Sequence, residues 1–205
     1  MKDKEEYIED LKEIKEMMNR SSKFISLSGM SGIAAGVIAL IAAWFAHSMI
    51  YASLSMEYTA QPGSEGITFK LLVLACATII AAVLAGVFFT KRKAKKLNQP
   101  LWDAQTRLLL INLAIPLVTG GLLCLLLLQQ GLIGLLAPFT LIFYGLALVN
   151  ASKYTFKEVG TLGMVEIVLG LVAMLFIGYG LFFWAFGFGI LHIVYGIFMQ
   201  SKYGS

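Results

Sequence analysis

Six apolar stretches, at residues 24–50, 67–90, 105–128, 132–150, 159–179 and 181–199, leave this chain few ways to fold. A hydrocarbon layer roughly 30 Å thick is crossed by about 20 helical residues. Backbone amides inside that layer meet no water and must bond to one another, so each stretch is expected to be a spanning α-helix. The remainder agrees, because 59% hydrophobic residues with 14% charged and a mean hydropathy of +0.81 describe a chain whose main solvent is lipid.

Charge orients the spans. Of the 16 Lys and Arg residues, all but Lys70 fall on one side once the helices are threaded, in the runs Lys2 to Lys23, Lys91 to Lys96 with Arg107, Lys153 with Lys157, and Lys202. Cytoplasmic segments retain basic residues, so both termini are expected inside. The formal charge of +4 and a pI near 9.0 then reflect topology, and nucleic acid is not an expected partner. The connections after spans three and five are short, and short links join antiparallel neighbours. The predicted fold class is an all-α integral membrane protein whose six transmembrane helices form three antiparallel hairpins, one with two, three with four, five with six. It comprises a cytoplasmic segment, 1–23, and a transmembrane domain, 24–205.

Residues 2–19 interleave acidic and basic side chains around Tyr7, Leu11, Ile14 and Met18, spaced to share one stripe of a short amphipathic helix. Its polar face is net negative and is repelled by an anionic inner leaflet. Two readings stand: the stripe docks on the protein's own cytoplasmic loops, or it recruits a second copy or a partner protein. The phrase SSKFISLSG at 21–29, following this charged helix, resembles the opening of small polytopic bacterial inner-membrane proteins of uncharacterised activity. That resemblance implies the bacterial inner membrane as the location and implies no reaction.

Small residues recur on several spans, and close backbone packing is what associates helices in lipid. Ser28, Gly32 and Gly36 mark one seam on the first span, Gly163 and Gly170 one on the fifth, and Gly189 and Gly196 one on the sixth. Cys76 and Cys124 lie inside apolar runs and are expected to be buried free thiols. Asp103 and Arg107, four apart at the start of the third span, are expected to pair along the helix. Trp44, Trp102 and Trp184 are expected at membrane interfaces.

Charged and strongly polar residues at bilayer depth are costly and therefore informative. Glu166 on the fifth span and His192 on the sixth lie at matching depth, about 10 Å from the cytoplasmic ends, and can meet as a hydrogen-bonded or ionic pair. Pro116 removes the helical hydrogen bond that the Asn112 carbonyl would accept, and Pro138 is expected to do the same to Gly134. Asn112, Tyr144, Glu166, His192 and Tyr195 are the candidate ligand-binding residues, lining one polar cavity open to the cytoplasm, with Ser31 a lesser candidate.

No His-x-x-x-His or Cys-x-x-Cys spacing, nucleophile elbow or second deep carboxylate is present, so no catalytic residue, metal or cofactor is expected. The reading that follows is a membrane protein binding or moving a small solute or proton. Its rival is a membrane-embedded regulatory subunit, in which Glu166 and His192 only hold two helices together.

Overall fold

The computed structural model describes residues 28–57, 64–96 and 102–203, together with Leu11. Everything described there is helix or short connection, with no strand among the described residues. The long helices are α1 (Gly29–Glu57), α2 (Ser64–Lys96), α3 (Ala104–Gln129), α4 (Leu136–Ala151) and α5 (Lys157–Leu175). A sixth begins as α6 (Gly180–Trp184), loosens into a π-helical segment at Ala185–Leu191, and continues as α7 (His192–Tyr203). Six helical stretches among the described residues are long and apolar enough to cross a membrane. The amphipathic stripe at 2–19, apart from Leu11, lies outside the described residues.

Several boundaries differ from expectation for identifiable reasons. Helix α2 has 33 residues, about 50 Å of helix, which is longer than a hydrocarbon layer is thick. Helix α5 stops at Leu175, where Phe176 adopts φ −126° and ψ 57° before a 3-10 turn at Ile177–Tyr179. Pro138 falls in the first turn of α4 instead of mid-helix. There the missing N–H would have had no intrahelical partner in any case, so the expected freeing of the Gly134 carbonyl does not arise.

The ends are set locally. Asp103 caps α3: its Oδ1 accepts from the Thr106 N–H at 2.7 Å and from the Thr106 hydroxyl at 2.6 Å. The carboxylate is thus committed to the helix end, and no ion pair joins it to Arg107 among the described residues. At the other end Gly131, with φ +75°, closes α3. Leu132 N–H bonds to the Leu127 carbonyl at 2.9 Å and Gly131 N–H to Leu128 at 3.1 Å, a Schellman turn that glycine enters without strain.

Packing runs along the small-residue seams. Helix α1 lies against α2 on one side and against the π segment and α7 on the other, while α4 sits between α3 and α5 and also touches α6. Backbones approach so closely that a Cβ on Gly29 would come within 2.5 Å of the Gly196 carbonyl, and one on Gly36 within 2.6 Å of that of Gly189. The Gly163 seam meets Gly145 of α4, each glycine's carbonyl 2.5–2.6 Å from where the other's Cβ would be. Helix α2 is peripheral, with Ile79, Ile80, Val83, Leu84 and Phe88 exposed. Cys76 is accordingly exposed on α2, contrary to the expected burial, while Cys124 is half-buried, and both are free thiols.

Candidate functional site

Polar side chains within these helices are mostly tied off on their own backbone. Thr78, Thr119 and Thr140 donate to the carbonyls of Leu74, Ile115 and Ala137, the way hydroxyls are made tolerable in an apolar solvent. Asn112 belongs to this group: its amide donates to Leu108 on the same helix at 2.8 Å. Its backbone carbonyl, released by Pro116 one turn on, accepts from the Asn150 side chain at 3.4 Å. The proline-freed carbonyl is thus used as a clip between α3 and α4. Ser31 likewise donates to its own helix, at the Ser28 carbonyl.

Glu166 departs from this pattern. It is completely buried, at 0% exposure, and neither carboxyl oxygen has a hydrogen-bond partner among the described residues. Helix α5 directs it at the π segment, where Gly187 makes the room. A Cβ on Gly187 would lie 2.5 Å from Glu166 Oε2, 2.6 Å from a Leu141 methyl and 3.0 Å from a Leu169 methyl. The carboxyl therefore rests on a glycine backbone between two leucines. An unpartnered buried carboxyl of this kind lowers stability by several kcal/mol if ionised and unrelieved, and still costs about 1–3 kcal/mol as a neutral group.

His192 opens α7 directly after the π segment. Its Nδ1 lies 3.0 Å from the Gly187 carbonyl and its Nε2 2.7 Å from the Tyr144 hydroxyl. A carbonyl only accepts, so Nδ1 donates; in the neutral ring Nε2 is then the acceptor for the Tyr144 O–H. Glu166 Oε1 stands 3.6 Å from the same Nδ1. That distance permits an ionic interaction and is too long for a direct hydrogen bond. The Nδ1 proton faces two acceptors, bonded to the Gly187 carbonyl and a few tenths of an ångström from reaching the carboxylate.

The remaining candidates divide. Tyr144 joins the cluster through His192, and its ring packs against Phe188 at 4.9 Å between centroids. Tyr195, one turn beyond His192, places its ring against Leu148, Val159 and Leu162. Its hydroxyl is buried with no hydrogen-bond partner among the described residues. Asn112 makes its contacts apart from these four. Sequence reasoning missed Gly187, whose role depends on what α5 aims at it, and Phe188, which stacks on His192 and packs at a tilt against Trp184. Trp184, read as an interface anchor, is half-buried against that ring. The π segment itself had a faint signal in the Gly187-Phe188-Gly189 triplet, since glycine weakens regular helix and π segments gather at functional sites.

Among the described residues, no group of three or more His, Cys, Asp or Glu side chains is placed to hold a metal ion. Compared with known proteins, the chain matches no family model, no curated protein sequence and no solved structure.

Proposed function

We propose that this chain is a multi-pass membrane protein that takes up and releases a proton at Glu166, with His192 and Tyr144 as its relay. One observation carries the reading: a fully buried carboxyl left without hydrogen bonds among the described residues, in a protein that ties off most of its polar side chains. A group held only for structure would be expected to have its partners satisfied, whereas an intramembrane ionisable group facing a second one is the usual arrangement of a proton pathway. The carboxyl is completely buried, with methyls of Leu141 and Leu169 beside it at Gly187, which favours a proton over a larger solute as what the site handles.

The chemistry follows from the geometry. As the Tyr144 hydroxyl passes its proton to Nε2 of His192 and takes another onto its oxygen, the ring releases the Nδ1 proton across the 3.6 Å gap to the Glu166 carboxylate. One proton enters the ring and one leaves it, and imidazole has the two distinct nitrogens this requires. The protein's setting belongs to the same proposal: the bacterial inner membrane, three helical hairpins, both termini and residues 91–100 on the cytoplasmic side. Residues 2–19 are free in this scheme to meet a second copy or a partner protein.

Purified protein in liposomes loaded with a pH-reporting dye tests it, with a valinomycin potassium potential as the driving force. Wild-type vesicles should acidify or alkalinise according to the sign of the potential, and Glu166→Gln, which keeps shape and removes the titratable group, should reduce this to the rate of empty vesicles. Flux at the wild-type rate in folded Glu166→Gln would contradict the proposal.

A further inference from the structure

Away from the Glu166 cluster, α1 and α2 leave a groove between them of about 340 Å³, lined by Met49 of α1 and by Phe69, Lys70, Val73, Leu74 and Ala77 of α2. That volume lies at the low end of the range of about 300–1,000 Å³ found for small-molecule sites. Positions 70, 73, 74 and 77 follow the three- and four-residue spacing that sets side chains above one another on one helix face. The lysine therefore stands on the stripe of α2 that meets the groove. Ala77 presents a single methyl where the rest of the stripe is larger, which leaves room at that end. Phe69 and Ala77 are eight residues apart, so the groove runs for about 12 Å along the helix.

One end of this groove is charged and the rest is not. Lys70 is the third residue of the apolar span Thr68–Lys96 and lies at the opposite end of α2 from the Lys91 to Lys96 run. It is exposed, and no ion pair engages it among the described residues. A lysine in that position lays its methylene stem along apolar surface and carries its ammonium toward the headgroup level. The other five lining side chains are apolar. A cation at the mouth of an apolar channel complements a molecule with an anionic head and a hydrocarbon tail. A zwitterionic head fits less well, because it brings a cation of its own to the lysine.

We propose that this groove binds an anionic phospholipid, with one acyl chain lying between α1 and α2 and the headgroup phosphate facing the Lys70 ammonium. Lys70 selects the charge of the headgroup, and Ala77 leaves space for the chain. Helix α2 packs chiefly on α1, so the bound lipid adds contact along the seam that holds α2 to the bundle. The site shares no residue with the Tyr144–His192–Glu166 cluster, and it stands whether or not Glu166 handles protons.

Phospholipids brominated on their acyl chains quench a tryptophan that they touch, so a single tryptophan beside the groove reads which headgroup is preferred there. Phe69→Trp provides it, in a chain that also carries Trp44→Phe, Trp102→Phe and Trp184→Phe. In vesicles, brominated phosphatidylglycerol should associate about fivefold more strongly at this position than brominated phosphatidylcholine. Adding Lys70→Gln should abolish the preference, and so should Ala77→Leu, which fills the recess and leaves the charge in place. Equal association of the two lipids in the parent, or an unchanged preference in folded Lys70→Gln or folded Ala77→Leu, overturns the proposal. Native mass spectrometry needs no tryptophan changes: from an equal mixture of the two lipids, Lys70→Gln in the otherwise unaltered chain should retain less phosphatidylglycerol than wild type, and equal retention also overturns the site.

Discussion

At the scale of single residues, Glu166 and His192 are unequal partners. His192 has both ring nitrogens engaged, by Gly187 and Tyr144, whereas Glu166 has neither oxygen engaged. Removing the histidine therefore orphans two groups: His192→Ala should destabilise the detergent-solubilised protein by about 1–3 kcal/mol. Replacing the glutamate with an apolar side chain of similar volume removes an unpartnered polar group from the core. Glu166→Met should raise the unfolding temperature while proton flux disappears, the usual opposition of stability and activity at a working site. A fall in stability would mean that Glu166 is structural. Gly187 supplies a third test, because its Cβ would strike Oε2 and two leucine methyls. Gly187→Ala should cost about 1–3 kcal/mol, and a double-mutant cycle with Glu166→Ala should show coupling between the two. The sequence alone made the glutamate and histidine conspicuous, since charge at depth is rare. It could not show which of them lacked partners, because that depends on Gly187 and Tyr144 arriving from other helices.

At the scale of elements, the glycine seams decide which helices touch. Gly145→Ala should destabilise the α4–α5 contact by about 1–3 kcal/mol, since a Cβ there would come within 2.5 Å of the Gly163 carbonyl. Gly86→Ala and Gly121→Ala, where a Cβ would meet nothing within 4 Å, should be neutral or slightly stabilising. Thermal unfolding followed by size-exclusion chromatography distinguishes the two classes, and equal loss at all three sites would argue against seam-driven packing. Seven-residue spacing made Gly163 and Gly170 readable as one seam, and Pro116 announced a freed carbonyl. Gly145 carried no such periodicity, and the break at Phe176, the cap at Asp103 and the π segment arise from local geometry and tertiary contact. The six spans were legible because lipid permits so few alternatives; their contacts were less so, because apolar helix faces look alike in sequence.

At the scale of the whole molecule, the distribution of Lys and Arg makes a prediction about sidedness. In a background lacking Cys76 and Cys124, a cysteine at exposed Gly66 should react with an impermeant maleimide added to intact cells, and one at exposed Lys95 should not. Lys95 is the better reporter than its neighbour Ala94, which is 1% exposed and would resist labelling on either side. Labelling at Lys95 from outside would invert the proposed topology. The claim on which everything else depends is that Glu166 changes its protonation state within the folded protein, and infrared difference spectroscopy of the reconstituted protein reads this directly. Titrating the sample across the pH range in which it stays folded should reveal a protonated-carboxyl carbonyl band that comes and goes and is missing from Glu166→Gln; a wild-type spectrum with no such band, or a band unchanged in Glu166→Gln, would contradict the account.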